Sequence, residues 1–158
     1  MMRRYSLIST LFIALGLMLM PMAGFASADK GTADEAKAMV EKAAALLKDA
    51  GPDKAFAAFD DPANKDFHDR DLYIFVRSMD GNTVAHGANK GMIGHTNLDL
   101  KDADGKLYNK EMIDLATSKG SGWVDYRWPN PISHKIEAKS SFILKVGDYV
   151  IGAGVYKE

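Results

Sequence analysis

The chain has 158 residues, a length for one domain, and its 20 Lys+Arg against 21 Asp+Glu leave a net charge of −1. That balance excludes an electrostatic binder of nucleic-acid phosphates, which needs a basic surplus. The absence of Cys excludes disulfide frameworks, thiol catalysis, Cys-ligated zinc, iron–sulfur clusters, c-type haem attachment and a lipidated Cys tether.

The first 28 residues have the layout of a secretory signal peptide. Arg3 and Arg4 come first, residues 7–20 are mostly apolar and uncharged, and Pro21 and Gly24 break the run before Ala26-Ser27-Ala28. A membrane-spanning helix needs about 20 apolar residues, so cleavage after Ala28 is expected rather than anchoring. The expected mature chain, residues 29–158, carries 18 basic residues (20 less Arg3 and Arg4) against 21 acids. It has no second apolar stretch and would be periplasmic or secreted, without a membrane span.

Thr32-Ala33-Asp34-Glu35 has the spacing of a capping box, a hydroxyl with a carboxylate three residues later. Ala36, Met39, Val40, Ala43, Leu46 and Leu47 then recur at helical period, predicting a helix from Thr32 to about Ala50. Gly51 ends it and Pro52 starts a second, with Ala55, Phe56 and Phe59 as its stripe, stopped by Asp60-Asp61-Pro62. From Asp71 the period changes. Leu72-Tyr73-Ile74-Phe75-Val76 reads as a strand, Asp80-Gly81-Asn82 as a turn, and Thr83-Val84-Ala85-His86 as the returning strand. Residues 87–104 form a glycine-punctuated loop, residues 109–118 a short helix, and residues 123–128 a strand ended by the Pro129-Asn130-Pro131 corner. Strands over residues 135–146 and 149–156 close the chain around Gly147-Asp148. Strands in hairpins that do not alternate with helices predict an α+β fold with an antiparallel sheet.

The C-terminal half carries an ordered set of phrases. These are Gly122-Trp123-Val124-Asp125-Tyr126-Arg127-Trp128-Pro129-Asn130-Pro131, Lys139-Ser140-Ser141-Phe142, and Asp148-Tyr149-Val150-Ile151-Gly152-Ala153-Gly154-Val155-Tyr156. With the upstream Val84-Ala85-His86, Ile93-Gly94 and Asp102-Ala103-Asp104-Gly105, the set resembles a single Cache domain over roughly residues 32–156. The resemblance implies a long N-terminal helix packed on a PAS-like sheet of about five strands. It also implies a pocket between sheet and long loop for a small molecule, in several relatives a short carboxylate. The family usually has Tyr where Phe142 stands and often Trp where Tyr149 stands. Its members are usually fused to chemoreceptors or histidine kinases, whereas this chain has the sensor module alone. Its expected role is therefore to bind the ligand and pass occupancy to the periplasmic part of a membrane receptor or kinase. The alternatives are a simple scavenger of the ligand, or a secreted enzyme pairing His86 with an Asp.

Six residues are the expected ligand contacts: Tyr126, Arg127, Trp128, Lys139, His86 and Phe142. Strand alternation puts Tyr126 and Trp128 on one face, to form an aromatic wall with Phe142; the competing view is that all three are sheet core. Arg127 would clamp a carboxylate through two parallel hydrogen bonds, or else lie solvated beside Asp125. Alternation turns it away from Tyr126 and Trp128, so a bulge at the Pro129 corner would be needed to unite all three. Lys139 offers a compact ammonium, unless it is an edge-strand lysine facing water. His86 would donate to or accept from a polar ligand, unless it is merely exposed at the hairpin's end. His68, His95 and His134 show no metal-ligand spacing, and Asp102-Ala103-Asp104-Gly105 is not followed by the Glu of a calcium loop, since Ile113 stands there. Ser140-Ser141 lacks a nucleophile elbow, so no catalytic residue, metal or cofactor is assigned.

Overall fold

The computed structural model describes residues 30–157. The segment read as a signal peptide lies outside them. The first helix, α1 (Ala33–Ala50), begins on the expected capping box: the Thr32 side chain accepts the Glu35 N–H, and Glu35 Oε2 accepts the Thr32 N–H at 2.8 Å. Gly51, at φ +79, then turns the chain into α2 (Pro52–Asp60). Ala36, Val40, Ala43 and Leu47 form the buried stripe of α1, and Ala55 and Phe59 that of α2.

Ahead of the expected strand the chain makes a small hairpin, β1 (His68–Asp69) with β2 (Leu72–Tyr73). Its two-residue turn sets Arg70 at φ +56. The strands are too short to show alternation, and their acidic flanks disguise them. The expected strand over residues 72–76 is accordingly split, with Ile74 between β2 and β3 (Phe75–Ser78). The hairpin partner β4 (Thr83–His86) follows, then the long loop with a 3-10 turn at Lys90–Met92. Helix α3 (Tyr108–Lys119), β5 (Ser121–Pro129), β6 (Ile136–Val146) and β7 (Tyr149–Tyr156) complete the chain. Five strands form one antiparallel sheet in the order β4-β3-β7-β6-β5, the expected α+β architecture.

Register assigns the two faces. Phe142 lies opposite Ala153, and with Ile151, Val76 and Ala85 it faces α1 and α2 in the larger apolar cluster. The other parity places Val124, Tyr126, Ile143, Val150 and Phe75 against Tyr108, Met112 and Ala116 of α3. Helices thus cover both faces of the sheet, α1 and α2 on one and α3 with the long loop on the other. The Asp102–Lys106 turn protects the free edge of β5: Asp102 accepts the Arg127 N–H at 2.9 Å, and Lys106 Nζ donates to the Asp125 carbonyl. Asp102-Ala103-Asp104-Gly105 is therefore an edge-capping Asp/Gly turn, its carboxylate spent on backbone N–H groups.

Candidate functional site

The face of the sheet beneath α3 is where polar chemistry gathers. Pairing places Lys139 opposite both Tyr126 and Tyr156, and Ser141 opposite Gly154. Phe75 and Arg77 continue the same parity on β3, with His86 opposite Phe75. Two glycines in phase make room for these groups. A Cβ on Gly152 would fall 2.3 Å from the Phe75 ring, and one on Gly154 2.1 Å from Ser141 Oγ. Ser141 Oγ in turn lies 3.0 Å from the Tyr126 hydroxyl. Tyr126 stacks on Tyr108 of α3, centroids 4.7 Å apart and rings near parallel, and Trp128 leans on both. A cleft of about 280 Å³ opens between His86, Tyr73, Trp128 and the Pro129–Pro131 corner.

Two cations are buried in this aromatic box. Lys139 is 1% exposed; its Nζ sits 3.9 Å from the centroid of Tyr73 and 3.3 Å from the Tyr156 hydroxyl, which donates to the Pro129 carbonyl at 2.7 Å. Arg77 is 3% exposed, donates to Thr83 Oγ1 at 3.0 Å, and lies near the Phe75 and Tyr108 rings. Neither forms an ion pair with a carboxylate among the described residues. Arg77 Nε, the Tyr108 hydroxyl and Asn109 Oδ1 are buried polar atoms with no partner there either. Buried polar groups are ordinarily satisfied, so this cluster suits a polar guest.

Burial sets the protonation states. It drives Lys139 well below the usual lysine range, opposed by the field of Asp71. It also pushes Arg77 down and the Tyr73, Tyr126 and Tyr156 hydroxyls up, so the phenols remain neutral donors. His86 is pushed down to about 3, by burial first and then by the Lys139 and Arg77 charges. Its Nδ1 accepts the Asn89 N–H at 3.1 Å, which assigns the proton of the neutral ring to Nε2.

The structure brings together four of the six residues expected as contacts: His86, Tyr126, Trp128 and Lys139. Arg127 and Phe142 stand on the opposite strand parity, Arg127 sharing only a surface cleft with Tyr126 and Lys139. The β5–β6 register runs unbroken from Ser121 to Pro129, with no bulge, so Arg127 stays on the outer side. There it is 44% exposed in its side chain and pairs with Asp104 at 3.0 Å. Phe142 belongs to the cluster under α1, where Trp123 packs on its ring. Arg77, not Arg127, is the guanidinium on the buried face. The His86–Asp pairing of the enzyme alternative is not formed, because Asp60 accepts the His86 backbone N–H rather than a ring proton.

Sequence reasoning missed Arg77, Tyr108, Asn109, Tyr73 and Tyr156. A signal for Arg77 existed: it continues the period-2 set of Tyr73 and Phe75, so a charge stands in phase with inward aromatics. Gly152 and Gly154, in phase with Tyr156, mark the same face.

This fold has counterparts. The Cache domain family model matches residues 63–158. The chain belongs to the Cache family. Among curated proteins, this Cache domain is 38% identical over 89 residues to the sensor histidine kinase MctS of Rhizobium johnstonii. That match takes in 55% of this chain and 19% of the kinase. It is 33% identical over 91 residues to the methyl-accepting chemotaxis protein McpP of Pseudomonas putida, with 56% and 17% covered. The chain thus spans less than a fifth of the length of the curated relatives it matches. Among solved structures, a periplasmic sensor domain of a chemotaxis protein is 27% identical with a TM-score of 0.64, over 79% of this chain and 90% of that one. A Cache chemosensory domain described for carboxylic acid recognition shares the fold at 23% identity and a TM-score of 0.70, over 79% and 92%. Among the described residues no helix is long and apolar enough to cross a membrane.

Proposed function

We propose that this Cache domain is an extracytoplasmic sensor module that binds a short carboxylate on the aromatic face of its sheet. The observation that carries the reading is the pair of buried cations, Arg77 and Lys139, on one face without a carboxylate at ion-pair distance among the described residues. An anion leaving water needs fixed donors in exchange. Arg77 supplies a planar guanidinium with a free Nε–H, Lys139 an ammonium, and Tyr108 and Tyr126 neutral hydroxyls. Trp128, Tyr73 and Phe75 give the apolar wall for a short alkyl chain. A cleft of about 280 Å³, lined by Tyr73, His86, Trp128 and the Pro129–Pro131 corner and not by the two cations themselves, opens beside this cluster and suits a ligand of a few heavy atoms rather than a drug-sized one.

The neighbour described for carboxylic acid recognition, the kinase and the chemoreceptor support this reading. They also favour transfer of the signal to a membrane receptor or kinase over catalysis. Arg3, Arg4 and the Ala26-Ser27-Ala28 site support export. Periplasmic protein should then begin at Asp29 on N-terminal sequencing.

The test is calorimetry with acetate, propionate, lactate and pyruvate, followed by chromatography of the recovered ligand. A saturable isotherm with the acid recovered unchanged is expected. Binding by none of the four would overturn the carboxylate reading, and conversion of the acid would overturn the sensor reading in favour of an enzyme.

A further inference from the structure

The corner after β5 is built as a separate piece. Pro129, Pro131 and His134 line the cleft together with His86, Tyr73 and Trp128. Asn130, 4% exposed, organises the corner from within. Its N–H donates to the Lys135 carbonyl at 2.8 Å, its carbonyl accepts the His134 N–H at 2.9 Å, and its Oδ1 accepts the Ile132 N–H at 2.8 Å. Its Nδ2 donates to Glu137 at 2.9 Å, still inside the β5–β6 hairpin. His134 completes the turn at φ +58, and residues 132–136 are exposed. Among the described residues, one hydrogen bond joins residues 129–135 to anything beyond that hairpin: the Tyr156 hydroxyl donates to the Pro129 carbonyl at 2.7 Å. The Tyr156 oxygen also lies 3.3 Å from Lys139 Nζ and 3.3 Å from the Tyr73 hydroxyl.

We propose that residues 129–135 form a gate over the cleft and that Tyr156 is its latch, a positioning residue that holds the corner closed from β7. The bonds around Asn130 keep the corner in one shape, so it swings as a unit on the ends of β5 and β6 rather than fraying. With its proton spent on Pro129, the Tyr156 hydroxyl accepts from the Lys139 ammonium, and a charged donor on its oxygen makes it a stronger donor in turn. When the latch opens, water entering the cleft takes over the Pro129 carbonyl, so opening costs only the net worth of one hydrogen bond. The latch is argued from these bonds alone; that the guest it admits is a short acid rests on the carboxylate reading.

The test uses the whole mature chain carrying Trp123→Phe, which leaves Trp128 of the cleft as its single tryptophan. Adding Tyr156→Phe keeps the ring and removes the latch. Acrylamide quenching of Trp128 should rise about two- to fivefold, while hydrogen exchange at the Asn130 and His134 amides stays at the rate of the parent. Quenching unchanged by Tyr156→Phe would overturn the latch. Quenching that rises together with exchange at Asn130 and His134 would overturn the gate, because the corner would then have unfolded instead of swinging. Acetate followed by NMR exchange should associate and dissociate about fivefold faster in the Tyr156→Phe protein, with Kd held within about threefold. Unchanged rates, or a Kd that weakens with no gain in association rate, would overturn the gate. If acetate does not bind the parent, the carboxylate reading fails, and quenching with amide exchange still decides the latch.

Discussion

Replacing Lys139 with Met should make the protein more stable and its ligand affinity worse. The side chain is 1% exposed, and an ammonium removed from water without an ion-pair partner costs several kcal/mol. Two ring faces, at 3.9 and 4.7 Å, and one hydrogen bond to Tyr156 return part of that, each about 1–2 kcal/mol. The sign of the balance follows from protonation: the folded protein holds this amine well below its ordinary range, so the charged form is a net cost to folding. Methionine keeps the stem, fills nearly the same volume and accepts aromatic contact through sulfur. A gain of about 1–3 kcal/mol is expected, or a rise in Tm of several degrees for a domain of this size. Carboxylate affinity should fall about 30- to 1,000-fold, the effect of removing a charge-assisted partner.

The pH dependence gives a second readout. Because the unfolded chain holds the Lys139 proton more tightly than the folded one, the unfolded state binds more protons below the ordinary lysine pKa of 10.5. Stability should therefore rise with pH from the depressed folded pKa up to 10.5, and Lys139→Met should remove that rise. Thermal melts from pH 6 to 10, paired with calorimetry, decide the matter. A variant that melts lower and binds acetate as tightly as wild type would refute the assignment.

Arg127→Ala should leave binding within about threefold and stability within about 1 kcal/mol, since its pair with Asp104 is exposed; a lost isotherm would return Arg127 to the site. His86 is neutral in the folded state down to about pH 3 but titrates near 6.5 when unfolded. Its contribution is thus present above 6.5 and lost progressively as pH falls toward 3, and His86→Gln should flatten that acid limb in denaturant titrations. Phe142→Ala should cost about 3–5 kcal/mol through a cavity under α1 while carboxylate affinity holds, which melting and calorimetry on one sample would show.

Helices and hairpins were legible because their signals are local. The Thr32–Glu35 box, the Pro52 start and the Asp80-Gly81-Asn82 turn each act within four residues. The β1–β2 hairpin was not legible, since its pairing is two residues long and its turn depends on Arg70 in a left-handed conformation, which composition does not announce. In the site, alternation correctly turned Arg127 away from Tyr126 and Trp128. The bulge that would have been needed to bring it back is not formed: the Asp102–Lys106 turn pins the edge of β5 straight through Arg127. Arg77 lay hidden because it extends a strand read as ending at Val76. The long-range facts, that Tyr108 stacks on Tyr126 and that Tyr156 holds Lys139, join residues 17 or 18 positions apart. No periodicity encodes them.

The arrangement of charge explains why such a site would be left costly. A protein carboxylate placed against Lys139 or Arg77 would relieve the buried cation and stabilise the fold, but it would also occupy the position an anionic ligand needs. Tyrosine hydroxyls and ring faces soften the penalty without competing, because a neutral phenol can rotate its proton toward an incoming oxygen while a carboxylate would repel it. On this argument, adding a carboxylate to the same face, as in Ser141→Asp beside the Tyr126 hydroxyl and in phase with Lys139, should lower acetate affinity at least tenfold. Acetate binding as tight as wild type, or tighter, in that variant would show that the cations are not held open for an anion.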